Sequence, residues 1–200
     1  MKSSEPAQSG DLAGYEVLVA VCGGIAAYKA CSVVSQLVQR GAGATVAMTR
    51  SARKLVGPVT FQSLSGRKVL TSLWRATADY DAQHVHVSER ADLCIVAPAT
   101  ANIIGKITSG IADDLVSTLL AGVRAPVLLA PAMNTQMWEN PFVQSNVARL
   151  KEAGFHLVGP GEGWLACRTM GIGRMAEPDE IIEFAANLLR ANSPRAARTR

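Results

Sequence analysis

The chain has 200 residues, 48% of them hydrophobic and 18% charged, with a formal net charge of +4 at pH 7. Such a length suits one domain with a sizeable core, and such a composition excludes a disordered chain. No apolar run approaches the roughly 20 residues of a membrane helix, and the basic excess gathers in Arg190, Arg195, Arg198 and Arg200, which leaves no case for a nucleic-acid groove.

Residues 1–14, "MKSSEPAQSGDLAG", lack the apolar core of a signal peptide, which predicts a disordered N-terminus on a cytoplasmic protein. "YEVLVAVCGG" predicts a buried strand that ends in paired glycines. "IAAYKACSVVSQLVQRG" follows with helical periodicity and stops at Gly41. "ATVAMT" predicts a second strand, and the continuously apolar "ADLCIVAPAT" a third that is buried on both faces. A helix over "DDLVSTLLAGV" precedes a strand over "APVLLAPA". The helix "TQMWENPFVQSNVARLKEAG" must begin late or bend at Pro141. "FHLVGP" reads as a fifth strand and "PDEIIEFAANLLRA" as a closing helix with acidic residues in its first turn. The last ten residues, 191–200, predict a solvated basic tail without fixed structure. Strands alternating with helices across residues 15–190 predict a single α/β domain built on a doubly wound parallel sheet.

In such sheets ligands bind beyond the carboxyl ends of the strands. "CGGIAA", "MTRSA", "APATAN" and "PAMNTQMW" all fall at that edge. Gly23, Gly24, Ile25 and Ala26 place bare backbone N–H groups at a helix start, where an anion can approach. Thr49 and Ser51 follow the second strand, where a dinucleotide site would carry an acidic residue for the ribose. Two hydroxyls there suit a phosphate, hence a mononucleotide. The cysteines, Cys22, Cys31, Cys94 and Cys167, have no metal-type spacing. Three of them lie in apolar segments, and Cys167 lies among polar residues.

The ordered motifs carry a resemblance. "APATANIIGKITSGIADDLVST" resembles the Pro-Ala-Ser-Ala-Asn-Thr motif of the homo-oligomeric flavin-containing cysteine decarboxylases, with Thr100 in place of the serine. "PAMNTQMW" matches that family's Pro-x-Met-Asn-x-x-Met-Trp motif, "HVHVSERADL" its active-site histidine segment, and "ACRTMGIGRM" its substrate-recognition clamp. The resemblance covers residues 15–190 and implies a flavodoxin-like fold, FMN as cofactor, and assembly as trimers or dodecamers.

It also implies site residues. Pro98, Ala99, Thr100, Ala101, Asn102 and Met133 would line the FMN site together with the Gly23–Ala26 turn, Thr49 and Ser51. His84, Asn134 and Cys167 would be catalytic, while Asn134, Met137, Trp138, Arg168 and Met175 would meet substrate. Met137 and Trp138 fit core packing at helical spacing equally well. His156 reads as a core histidine, and His86 would share a face with His84 on an extended backbone. A flavin suits the chemistry, because a cysteine carboxylate has no adjacent electron sink. Oxidation at Cβ–S gives a thioaldehyde into which the electrons left by CO2 can flow, forming an enethiolate. His84 would serve as base or, with Asn134, as carboxylate ligand.

Two substrates stay open. One branch of the family decarboxylates phosphopantothenoylcysteine in coenzyme A synthesis, and its clamp reads Ala-Cys-Gly-Asp. The other acts on ribosomally made precursor peptides with a C-terminal cysteine, giving an enethiol that becomes an aminovinyl-cysteine ring. Cys167 fits the first, whereas Arg168 and Thr169 in place of Gly-Asp, and a chain without a synthetase half, favour the second. The expectation is therefore a peptide substrate. An FMN-binding regulatory subunit or an electron carrier would not need the His84–Asn134 pair.

Overall fold

The computed structural model describes residues 10–74 and 83–195, and of residues 83–85 the backbone alone. β1 (Glu16–Val21) leads through a 3-10 turn at Ile25–Tyr28 into α1 (Lys29–Gln39) and β2 (Gly43–Met48). Then come α2 (Pro58–Ser65), α3 (Gln83–Arg90), β3 (Leu93–Ala99), α4 (Ala101–Thr108), α5 (Leu115–Gly122) and β4 (Val127–Pro131). The chain continues through α6 (Thr135–Trp138), α7 (Pro141–Glu152), β5 (His156–Leu157), a hairpin of β6 (Gly161–Trp164) and β7 (Met170–Arg174), and α8 (Pro178–Arg190).

β1 to β5 form one parallel sheet in the order β2-β1-β3-β4-β5. Both faces are covered, which explains the unbroken apolar runs. Val17, Val19 and Val21 pack on one face with Val33 and Leu37 of α1, Phe61 of α2 and Ile181 of α8. Leu18, Ala20 and Cys22 pack on the other with Ile103, Leu119 and Leu150 of α4, α5 and α7. Each fully buried Val or Leu contributes about 1.5–3 kcal/mol against exposure. The chain leaves β1 for β2 on one side and β3 lies on the other, so strand order reverses there and a crevice opens at the carboxyl edge.

Helix ends are held by local chemistry. Asp114 Oδ1 accepts the Ser117 N–H at 2.9 Å and Ser117 Oγ accepts the Asp114 N–H at 3.0 Å, a reciprocal cap worth about 0.5–2 kcal/mol to α5. The long helix expected over 135–154 is divided: α6 ends at Trp138, and α7 starts afresh with Pro141 at its first position. Proline has no N–H to donate, so it is tolerated there and nowhere deeper.

Several expectations change. The fifth strand is only two residues long. Helices α2 and α4 and the 161–174 hairpin were not expected from periodicity. Residues 10–14 do not behave as a loose end, because Leu12 is fully buried and Asp11 pairs with Arg40 at 2.6 Å. The tail is likewise anchored as far as Arg195, whose N–H donates to Asp92 Oδ1 at 2.6 Å, and the Tyr15 hydroxyl donates to the Asn192 carbonyl at 2.8 Å. Residues 1–9 and 196–200, the rest of both expected loose ends, lie outside the described residues. His84 and His86 stand on a helix and not on an extended segment, so the condition for a shared face is not met.

Candidate functional site

A cavity of about 1130 Å³ opens at the carboxyl edge of the sheet. It exceeds the roughly 300–1,000 Å³ of an ordinary small-molecule site, which leaves room for a cofactor and a substrate together. Four segments build it.

The first is the turn after β1. Gly24 starts the 3-10 helix from an extended conformation, and no side chain caps the first turn, so its leading N–H groups stay available to an anion. Gly23 must be glycine here. A Cβ on it would sit 2.2 Å from Ser51 Cβ, so the β1 turn and the β2 loop touch through bare backbone. The second segment is that β2 loop, where Thr49 Oγ1 accepts the Ala52 N–H at 3.1 Å and keeps its own hydroxyl hydrogen to donate. Thr49, Arg50 and Ser51 all line the cavity, as do Gly23, Gly24, Ile25 and Ala26.

The third segment follows β3. Thr100 caps α4 by accepting the Ile103 N–H at 3.4 Å, and Thr100, Ala101 and Asn102 reach the cavity. Pro98 and Ala99 do not line it; both are buried in β3, and Ala99 packs in the core beneath the loop. In the same wall the Lys106 ammonium holds Asp113 at 2.6 Å and Asp114 at 2.7 Å. Burial pushes the Asp114 carboxyl up, but hydrogen bonds from Lys106 and Ser117 outweigh it and leave it below its ordinary value. Burial pulls Lys106 down and its two carboxylates more than restore it, so the pair stays ionised.

The fourth segment joins the loop after β4 to the β6–β7 hairpin. Asn134 caps α6, its Oδ1 accepting the Met137 N–H at 2.8 Å, which reserves the amide N–H groups for a ligand. Met133, Asn134 and Met137 line the cavity. Trp138 does not; it packs against the core face formed with α4 and α7, because α6 turns it away from its neighbour. The hairpin is bolted to this loop. The Met133 N–H donates to the Gly173 carbonyl at 3.0 Å, and Thr135 Oγ1 donates to the Ile172 carbonyl at 2.8 Å. At Gly173 φ is 134° and a Cβ would meet the Met133 carbonyl oxygen at 2.1 Å, so no other residue permits this approach.

At the hairpin tip Cys167 is exposed, its Sγ 3.1 Å from Thr169 Oγ1. Cys167, Arg168 and the buried Met175 line the cavity. Cys22 does so too, but burial pushes its thiol far up, and burial lifts Cys94 to about 12, so neither gives up a proton readily. Arg168 is the non-glycine residue with positive φ, 64°, among the described residues. That conformation costs a residue with a Cβ roughly 1–2 kcal/mol, and glycine almost nothing.

His84 lies on α3 among the residues described by backbone alone, so its side chain is outside the description. His156 packs its ring 6.1 Å from that of Phe184, away from the site. Sequence reading missed five lining residues that bear charge: Lys29, Arg50, Lys106, Asp114 and Arg174. Four of them sit inside the quoted motifs or beside them, so their positions were visible. The link between Lys29, whose Nζ bonds both Glu177 carboxylate oxygens at 2.9 Å, and Arg174, 2.5 Å from the same carboxylate, had no local signal.

Comparison with known proteins shows the family. A model of the Flavoprotein family matches residues 5–190. The Coenzyme A biosynthesis bifunctional protein CoaBC of Bacillus subtilis is 47% identical over 84% of this chain and 42% of its own length. CoaBC of Mycolicibacterium smegmatis is 44% identical over 86% of this chain and 41% of its own. The chain thus spans about two fifths of the curated relatives it matches. The solved FMN-dependent cysteine decarboxylase SpaF superposes with a TM-score of 0.76 at 30% identity, over 90% of this chain and 98% of its own. A PPC decarboxylase with one cysteine changed to serine, complexed with pantothenoylaminoethenethiol, gives 0.77 at 29% identity over 89% and 99%. The chain belongs to the Flavoprotein family.

Proposed function

We propose that this chain is an FMN-dependent phosphopantothenoylcysteine decarboxylase. The expected peptide substrate is set aside: the curated relatives at 44% and 47% identity are CoaBC proteins of coenzyme A biosynthesis, despite Arg168 and Thr169 in the clamp. The observation that carries the reading is that an exposed cysteine, Cys167, lines the same cavity as Asn134 and the uncapped glycine turn.

The residues present fit a flavin mononucleotide. Its phosphate would lie against the N–H groups after Gly24 and the Thr49 and Ser51 hydroxyls, with Met133 as a soft apolar wall. Bound FMN supplies the electron sink that a cysteine carboxylate lacks. Asn134 offers its amide N–H groups to the substrate carboxylate. His84, by the motif alone, takes the part of base. Cys167 delivers a proton to the substrate carbon as the electron pair returns to the product. The net change is loss of CO2 only.

The test weighs products. Phosphopantothenoylcysteine should lose CO2 alone with the wild type. With Cys167→Ser it should lose CO2 and two hydrogens, stopping at the enethiol. No turnover of that compound, or turnover only of peptides ending in cysteine, would refute the assignment.

The assembly belongs to the same proposal: a homo-oligomer, trimer or dodecamer, in a soluble compartment. Tyr28 (62% exposed), Trp164 (62%) and Met170 (67%) put a large apolar surface beside the open side of the cavity, more than isolated surface residues require. Among the described residues no helix is long and apolar enough to cross a membrane. A monomer by light scattering that still decarboxylates would exclude the oligomer.

A further inference from the structure

Five basic side chains line the cavity: Lys29, Arg50, Lys106, Arg168 and Arg174. Three are already neutralised by carboxylates. Lys29 and Arg174 share Glu177, and Lys106 is held by Asp113 and Asp114. Among the described residues, Arg50 and Arg168 have no carboxylate partner. Arg50 lines the cavity between Thr49 and Ser51, on the side proposed for the cofactor phosphate. Arg168 remains, next to Cys167, at a backbone position that glycine would occupy without strain. A strained conformation kept for a long cationic side chain points to work done by that side chain.

We infer that Arg168 is a specificity residue that binds the phosphate of the substrate, an inference that rests on the decarboxylase reading. Two anionic groups of the substrate compete for it. The reacting carboxylate must lie deep, near Asn134, and a guanidinium on it would stabilise the ground state that has to lose CO2. The phosphate is a dianion that is costly to strip of water, and it is best met at the mouth. Arg168 is exposed, on the tip of the hairpin, where a planar guanidinium can bind two phosphate oxygens without full desolvation.

The experiment compares phosphopantothenoylcysteine with pantothenoylcysteine, which lacks only the phosphate, on the FMN-loaded wild type, Arg168→Gly and Arg168→Lys. Arg168→Gly should raise KM for the phosphorylated substrate on the order of ten- to a hundredfold and leave KM for the other within about twofold. Arg168→Lys should recover part of the loss, since it restores charge without the bidentate fork. A melting temperature of Arg168→Gly at or above that of the wild type shows that the loss is not one of folding. Equal KM increases for both substrates, or none for either, would overturn the inference alone. A wild type that turns over neither substrate would overturn the decarboxylase reading and this inference with it.

Discussion

The two ends of the cavity are built differently. The cradle around Gly23 belongs to the sheet: Thr49 N–H donates to the Val21 carbonyl at 3.0 Å, and the Gly23 backbone lies flush against Ser51. The β6–β7 hairpin stands outside that sheet, with seven of its nine strand residues at least partly exposed beside the buried Gly163 and Gly173. It is joined to the body through the Met133–Gly173 and Thr135–Ile172 hydrogen bonds and through Glu177. On the proposed reading, the cofactor, common to all substrates, would be held by elements that cannot move without unfolding the core. The features that differ between substrates would be met by a surface hairpin, whose tip carries Arg168.

If that contrast is right, a single methyl group at the cradle should do the most harm. Gly23→Ala places a Cβ 2.2 Å from Ser51 Cβ, against backbone that cannot retreat. The expected outcome is a protein destabilised by about 1–3 kcal/mol that purifies with little or no flavin. Flavin absorbance and a thermal melt read both quantities, and a stoichiometrically loaded Gly23→Ala protein would break the comparison.

The hairpin tether should give a smaller, pH-dependent effect. The hydrogen bond from Lys29 holds the Glu177 carboxyl below its ordinary value of 4.5. Above that pH the carboxyl is ionised whether folded or unfolded, and the tether contributes in full. Below it the unfolded chain takes up the proton first, so the contribution falls and is gone below the lowered folded value. Glu177→Gln should therefore cost about 1 kcal/mol or less near neutral pH, since the Glu177 side chain is 47% exposed. The difference from wild type should shrink as melts are repeated toward pH 3, and a difference independent of pH would show that Glu177 acts by packing.

By itself the sequence determined the five parallel strands, the glycine turn and the motifs that reveal the family. Each of these is written within a few neighbouring residues, as a run of apolar side chains or as glycine and asparagine at a turn. Helix α2 escaped because Phe61 is its one buried residue, with Leu64 half-buried beside it, too little to make a period. Helix α4 escaped because its apolar pattern is only Ile103, Ile104 and Ile107 within eight residues, too short to stand out as a period. Only the tertiary structure separated Met137, at the cavity, from Trp138, in the packing behind it, because the direction a short helix takes depends on what it leans against. Only the tertiary structure, too, brought Glu177 to Lys29, 148 residues away, and set Gly173 beneath Met133. Such contacts depend on how the strands cross over and stack, and no local stretch of chain encodes that.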